Sequence, residues 1–247
     1  MARRWLYGYW RMVAWDLAGL RLNLPVLSCV LILQGAGFVY GIGLLFSHMP
    51  QGAAIFVSTG SPVMNLITAG LIFEPQLVAD QRLRGGYEFL QSLPAPRSAT
   101  TLAWYTVTLA TALPAVALTL LAGLARYHLH LVLTPMVIPA VLLTCLTGVL
   151  MGLAIAHGIT APMAANLLSV TLIFVMTGFS PVAFPASQLP GWLATVNLWL
   201  PFGPMATIMR SALVQGFTGG VPRAYAVVAA WAIASALVTA WAQRRRR

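Results

Sequence analysis

Two adjoining runs decide how this chain folds: LNLPVLSCVLILQGAGFVYGIGLLFS, from Leu22 to Ser47, and MPQGAAIFVSTGSPVMNLITAGLIF, from Met49 to Phe73. Neither holds an aspartate, glutamate, lysine or arginine. A helix needs about 20 predominantly apolar residues to cross the hydrocarbon of a bilayer. Each run is long enough, which places a first span at about 24–46 and a second at about 52–73. The same count carried along the chain places further spans at about 99–124, 131–156, 161–183 and 223–243. Composition agrees. The 247 residues are 60% apolar and 7% charged, against about 25% charged in an ordinary soluble domain. Mean hydropathy is +0.85. Four acids, Asp16, Glu74, Asp80 and Glu88, and fourteen arginines cannot hydrate a globule of this size, so a soluble enzyme or soluble binding module is excluded. The fold expected is all-α: a polytopic membrane protein of six transmembrane helices, one domain over residues 1–247 with no room for a soluble one.

The arginines set the orientation. The net charge of +10 and the pI of about 10.8 have the size seen in nucleic-acid binders. In so apolar a chain they reflect charge asymmetry across a membrane instead, and no nucleic-acid partner is expected. Arg3, Arg4, Arg11 and Arg21 precede the first span, Arg82, Arg84 and Arg97 lie between the second and third, and Arg244 to Arg247 follow the sixth. With both termini in the cytoplasm those eleven are inside and only Arg126, Arg210 and Arg223 are outside, as the positive-inside rule requires. The terminal arginine tetrad is a topology anchor, with contact to anionic lipid as a second use. Arginine in the complete absence of lysine points to a G+C-rich bacterial gene, hence to the bacterial cytoplasmic membrane. The same absence removes two chemistries, because a P-loop needs its lysine on the phosphates and a Schiff-base enzyme needs a lysine amine.

Residues 1–22 do not read as a cleavable signal peptide, since their apolar run begins late and is too long. Trp5, Tyr7, Tyr9, Trp10 and Trp15 interleaved with arginines fit a helix lying in the headgroup region; its periodicity is imperfect, because Arg4 and Arg11 share a face that Arg3 and Asp16 do not. Small residues recur in the spans, at Gly35, Gly37, Gly41 and Gly43 and in Gly148-x-x-x-Gly152, a spacing that lets helices approach closely. Pro62, Pro114, Pro135 and Pro139 are expected to kink their helices. Cys29 and Cys145 read as small buried hydrophobes.

Two segments stand apart from the spans. The loop at 80–97 and its approach carry three of the four acids. Gly85-Gly86 breaks the incoming helix, and Tyr87 to Leu93 form a short helix ended by Pro94. Phe89, Leu90 and Leu93 line one side of it, with Glu88 near its N-terminus, where a carboxylate suits the helix dipole. Composition alone leaves this as a docking helix or a plain connector. The second segment, 184–212, follows the fifth span. Pro185, Pro190, Pro201 and Pro204 forbid one continuous helix, yet the segment is too apolar for a hydrated loop. Short outer re-entrant helices with Trp192 and Trp199 at the interface fit it.

Read together, these segments resemble the permease subunits of ABC type-2 exporters. That family's cytoplasmic loop runs acid-Arg-x-x-Gly-Thr-x-Glu-x-Leu-x-x-x-Pro-x-x-Arg. Asp80, Arg82, Gly85, Glu88, Leu90, Pro94 and Arg97 follow that order here, with Gly86 in place of the threonine. In the family's outer segment, Ser180, Phe184, Pro185, Leu189, Pro190, Trp192, Leu193, Pro201 and Arg210 match, while Pro181, Leu200 and Pro204 depart from it. The resemblance implies that the loop helix is a coupling helix seated in a groove of a separate cytoplasmic ABC ATPase, with Gly85, Tyr87, Glu88, Phe89, Leu90 and Leu93 facing it. ATP and magnesium are then held by that partner, and this chain binds no cofactor. It pairs with a second permease, as a homo- or heterodimer. The implied substrate is an amphiphile, a drug, antibiotic or lipid-like molecule, exported from the bilayer.

Within the spans, Gln34, Asn65, Thr68, Asn166 and Thr177 either line a substrate path or bond helix to helix. Glu74 is either a functional intramembrane acid or a cap on the kink at Pro75. His128-x-His130 lacks the acidic or cysteine company of a metal site. A rival reading, an intramembrane serine protease, would have to pair Ser61 or Ser180 with His157. Ser180 and His157 are expected at depths differing by most of the membrane, about 30 Å. A second rival, an ATP-independent carrier, predicts repeated halves. The long loop after the second span has no counterpart after the fourth.

Overall fold

The computed structural model describes residues 2–21, 23–46, 49–83, 97–129, 131–159 and 161–245. The described residues are all-helical, without a strand. Six of the helical segments are long and apolar enough to cross a membrane: Asn23–Leu45, Gln51–Arg82, Ser98–Tyr127, Val137–Gly158, Pro162–Phe179 and Val221–Arg244. We label the elements α1 (Ala2–Leu20), α2 (Asn23–Leu45), α3 (Gln51–Thr68), which passes through a π segment (Ala69–Phe73) into α4 (Glu74–Leu83), α5 (Arg97–Tyr127), α6 (Val137–Gly158), α7 (Pro162–Phe179), α8 (Gly191–Asn197), α9 (Phe202–Leu213) and α10 (Val221–Arg245).

The core is built around α3. Every residue from Val57 to Leu71 is buried. The helix can be enclosed on all sides because its composition is small and weakly polar, with Ser58, Thr59, Gly60, Ser61, Asn65, Thr68 and Gly70 in that stretch. α2, α5, α6 and α9 pack around it. The Gly148-x-x-x-Gly152 face of α6 lies against the π segment: a Cβ at Gly70 would stand 2.5 Å from Val149 N, and one at Gly152 would stand 3.0 Å from the Gly70 carbonyl carbon and 3.1 Å from Glu74 Cβ. Gly35 is likewise pressed against Asn65 and Thr119, whereas Gly37 and Gly41 face open space and bring no helix closer.

The π segment follows from Pro75. Proline has no amide hydrogen to return to the carbonyl four residues back, here Leu71, and its ring collides with that carbonyl; widening the ladder just before it relieves the collision. The helix therefore continues without interruption to Leu83, beyond the apolar limit read at residue 73. Pro62 and Pro114 lie inside α3 and α5. Pro135 and Pro139 do not interrupt a helix: the first precedes α6 and the second occupies its first turn, where the missing donor costs nothing.

α1 packs along the start of α5. Met12 and Val13 are buried against Ala103 and Val107. Trp5 Nε1 donates to Ser98 Oγ at 3.0 Å, and the Tyr9 hydroxyl meets Thr106 Oγ1 at 2.8 Å. Tyr7, Trp10 and Trp15 are exposed on the other side. Between α7 and α10 the chain breaks at its prolines, as anticipated. Pro190 precedes α8 and Pro201 precedes α9, while Pro204 is tolerated in the first turn of α9. α9 sinks into the bundle, with nearly its whole surface buried against α3, α6 and α10.

Candidate functional site

The polar side chains of the core fall into three groups along α3. At its start sits Arg210, brought in by α9 and 3% exposed. Its Nε donates to Thr59 Oγ1 at 3.1 Å, its Nη2 donates to the Val182 carbonyl, and its guanidinium lies 4.0 Å from the centre of the Phe56 ring. Burial lowers its pKa from 12.5 to about 9, so it remains charged at neutral pH. These contacts fasten the connection after α7 onto α3; Gly60 makes room for the Val182 backbone. Asn197 Nδ2 adds bonds to the carbonyls of Phe179 and Leu193, at 2.8 and 3.0 Å.

The second group is a layer halfway along. Gln34 Nε2 donates to Thr68 Oγ1 at 3.0 Å, and Asn65 Nδ2 donates to Thr119 Oγ1 at 3.0 Å. Gln34, Asn65 and Thr68 are therefore gathered where α2, α3 and α5 meet, engaged in bonds between helices. Asn166 and Thr177 are not with them. Asn166 Oδ1 meets Gln76 Nε2 at 3.4 Å, and Thr177, exposed on α7, bonds the Ile173 carbonyl of its own helix.

The third group, at the far end of the π segment, is the candidate site. Glu74 is 1% exposed. Thr108 Oγ1 donates to its Oε1, and its Oε2 has no partner among the described residues. Above it opens a cleft of about 40 Å³. The mouth is formed by Leu24, Leu27, Phe73 and Leu77, all half-buried; Trp104 and Thr108 stand with Glu74 in its floor. Asp16, 4% exposed, lies on α1 beside the Trp104 indole. Burial pushes Asp16 from 3.8 up to about 7, opposed by the Trp104 indole beside it. Asp16 Oδ2 and Trp104 Nε1 have no hydrogen-bond partner among the described residues. Past Trp104 lies His157, its ring centre 6.3 Å from the indole, with Nδ1 2.9 Å from the Leu153 carbonyl and Nε2 3.4 Å from Gln243.

Glu74 was a candidate in the sequence; Asp16 was not. It was read as a residue off the interfacial face, but Tyr9, Met12, Val13 and Asp16 stand at i, i+3, i+4 and i+7, one stripe of a helix, and that stripe is the one α1 buries. Ser180 and His157 lie at opposite ends of the bundle, the first beside Val182 in the Arg210 group and the second beside Trp104. Ser61 bonds the Val57 carbonyl of its own helix at 2.6 Å. His128 ends α5 with a positive φ of 51°, and no group of three metal-ligating side chains occurs among the described residues. Gly85, Tyr87, Glu88, Phe89, Leu90 and Leu93 of the loop, and His130, fall outside the described residues. No family model matches the chain, and no curated protein matches it.

Proposed function

We propose that this chain is the permease subunit of an ATP-driven exporter of the ABC type-2 kind, moving an amphiphilic molecule outward across a bacterial cytoplasmic membrane. The observation that supports it best is the continuity of α3, the π segment and α4. Gln51–Arg82 is 32 helical residues, about 48 Å at 1.5 Å per residue, against about 30 Å of hydrocarbon. One helix thus runs from the Arg210 group, through the middle of the core, to the edge of the loop at 84–96. A push or pull on that loop is delivered to the most enclosed helix of the protein, which is what coupling to an external motor requires. In this reading both termini are cytoplasmic, α1 lies at the inner interface, and α8 and α9 form an outer re-entrant cap. The ATPase, with its ATP and magnesium, and a second permease are separate chains.

In this reading an ABC ATPase is encoded beside this gene, and its capture is the test. The full-length chain retains that ATPase on an affinity resin, a deletion of residues 85–93 loses it, and Glu88→Arg inserts normally but uncouples export. Retention of the ATPase by the deletion variant, or normal export by Glu88→Arg, refutes the assignment.

A further inference from the structure

We propose that the cleft over Glu74 binds the cationic head of an amphiphile, a primary ammonium whose alkyl chain lies along Leu24, Leu27, Phe73 and Leu77. As a transport site it rests on the exporter reading; as a binding site it stands on the geometry alone. A carboxyl buried without a charged partner needs either a proton or a cation. Among the described residues no basic side chain lines the cleft, although the chain carries fourteen arginines, and Glu74 Oε2 has no partner among them. An unpaired buried oxygen of this kind is costly to leave unmade, and a positively charged donor supplies what is missing. An anion would be repelled. Calcium needs about six to eight oxygens, and a group of even three metal-ligating side chains does not occur among the described residues.

Size and depth narrow the ligand. The cleft, about 40 Å³, has room for an ammonium group or about three waters at about 10–15 Å³ each, but not for an aromatic ring. The half-exposed apolar mouth continues outward as a wall for a chain. The Trp104 ring in the floor adds a cation–π surface. Glu74 stands about 35 Å along the helix from Gln51, at the edge of about 30 Å of hydrocarbon, where the head of a membrane-dissolved amine resides.

The test is titration calorimetry of the purified full-length chain in phosphatidylcholine nanodiscs, without ATPase or ATP, using n-octylammonium and, as the uncharged match, n-octanol. We expect saturable binding of octylammonium at least tenfold tighter than that of octanol. Glu74→Gln should lose at least tenfold for the cation and leave octanol unchanged. Leu27→Trp, which fills the mouth and removes no charge, should abolish octylammonium binding, and affinity should climb from butyl- to octylammonium. Equal binding of octylammonium and octanol overturns the proposal, as does wild-type affinity in Glu74→Gln or in Leu27→Trp. Absence of binding alongside intact ATPase-dependent export removes the site and leaves the exporter reading. Binding by a chain that captures no ATPase does the reverse.

Discussion

Replacing Gly152 by alanine puts the packing of the core to a direct trial. The added methyl would stand 3.0 Å from the Gly70 carbonyl carbon and 3.1 Å from Glu74 Cβ, and closer still to the Gly70 carbonyl oxygen. Two of those three neighbours are backbone, so no rotamer change relieves them; α6 and the π segment must separate by several tenths of an ångström. Overpacking of a tight core costs about 1–3 kcal/mol, which is about a 5- to 150-fold shift in the folding equilibrium. Gly37→Ala is the matched control. It lies on an exposed face of α2 with nothing within 4 Å of the added carbon, and relief of glycine's entropy predicts no loss, or a gain of about 0.5–1 kcal/mol. Equilibrium unfolding of both variants by sodium dodecyl sulfate in mixed micelles, followed by tryptophan fluorescence, reads the difference. A Gly152→Ala protein as stable as wild type would refute the close apposition of α6 and the π segment, because no compliant side chain is available to absorb the methyl.

The remaining predictions use the other groups. In a double-mutant cycle of Asn65→Ala with Thr119→Val, the coupling should be about 0.6 kcal/mol, the usual size of a polar bond between membrane helices; purely additive losses would deny the bond. Arg210→Met should destabilise by about 1–3 kcal/mol, since the Val182 carbonyl loses its donor, and an unchanged melting temperature would mean that Arg210 does not fasten the α7–α8 connection. Asp16 holds its proton more tightly folded (about 7) than unfolded (3.8). The unfolded state therefore binds fewer protons between those values, and stability falls as pH rises from 3.8 to about 7, then levels off. Asp16→Asn should lack that fall, so the two melting curves should diverge with rising pH; parallel curves would place Asp16 in water.

The six spans were legible because length and absence of charge are local properties, visible in residues 22–73 without any knowledge of neighbours. The breaks before α8 and α9 were legible for the same reason, since Pro190 and Pro201 act on their own backbone. What escaped depends on partners distant in sequence. The π segment arises at Pro75 but is enclosed by Gly148 and Gly152 from another helix, so no pattern inside 69–73 announces it. Gln34, Asn65 and Thr68 could be picked out as polar residues in apolar runs, but only packing shows that they meet each other while Asn166 and Thr177 do not. Asp16 was missed because a carboxylate on a helix rich in arginine and tryptophan is ordinarily assigned to water; its place on the Tyr9–Met12–Val13 stripe had to be weighed above its charge. The same bias against polar residues ended the second span at Phe73, when the helix goes on through Glu74 to Leu83.

The enclosure of α3 bears on how the protein is made. The span it opens, Gln51–Arg82, has a mean hydropathy of 1.5 in its most apolar stretch, the lowest of the six candidate spans, against 2.3 for α6 and 2.0 for α5. A helix that meets only other helices is under no pressure to dissolve in lipid, and its serines, threonines and asparagine favour companions over hydrocarbon. α2 is synthesised before it and α5 after it, so during biogenesis α3 spends time with half its walls missing. At that stage the Gln34–Thr68 bond is available to hold α3 to α2, before α5 and α6 arrive to close the remaining sides. Weakening that early pair should lower the yield of inserted protein more than the stability of the finished one.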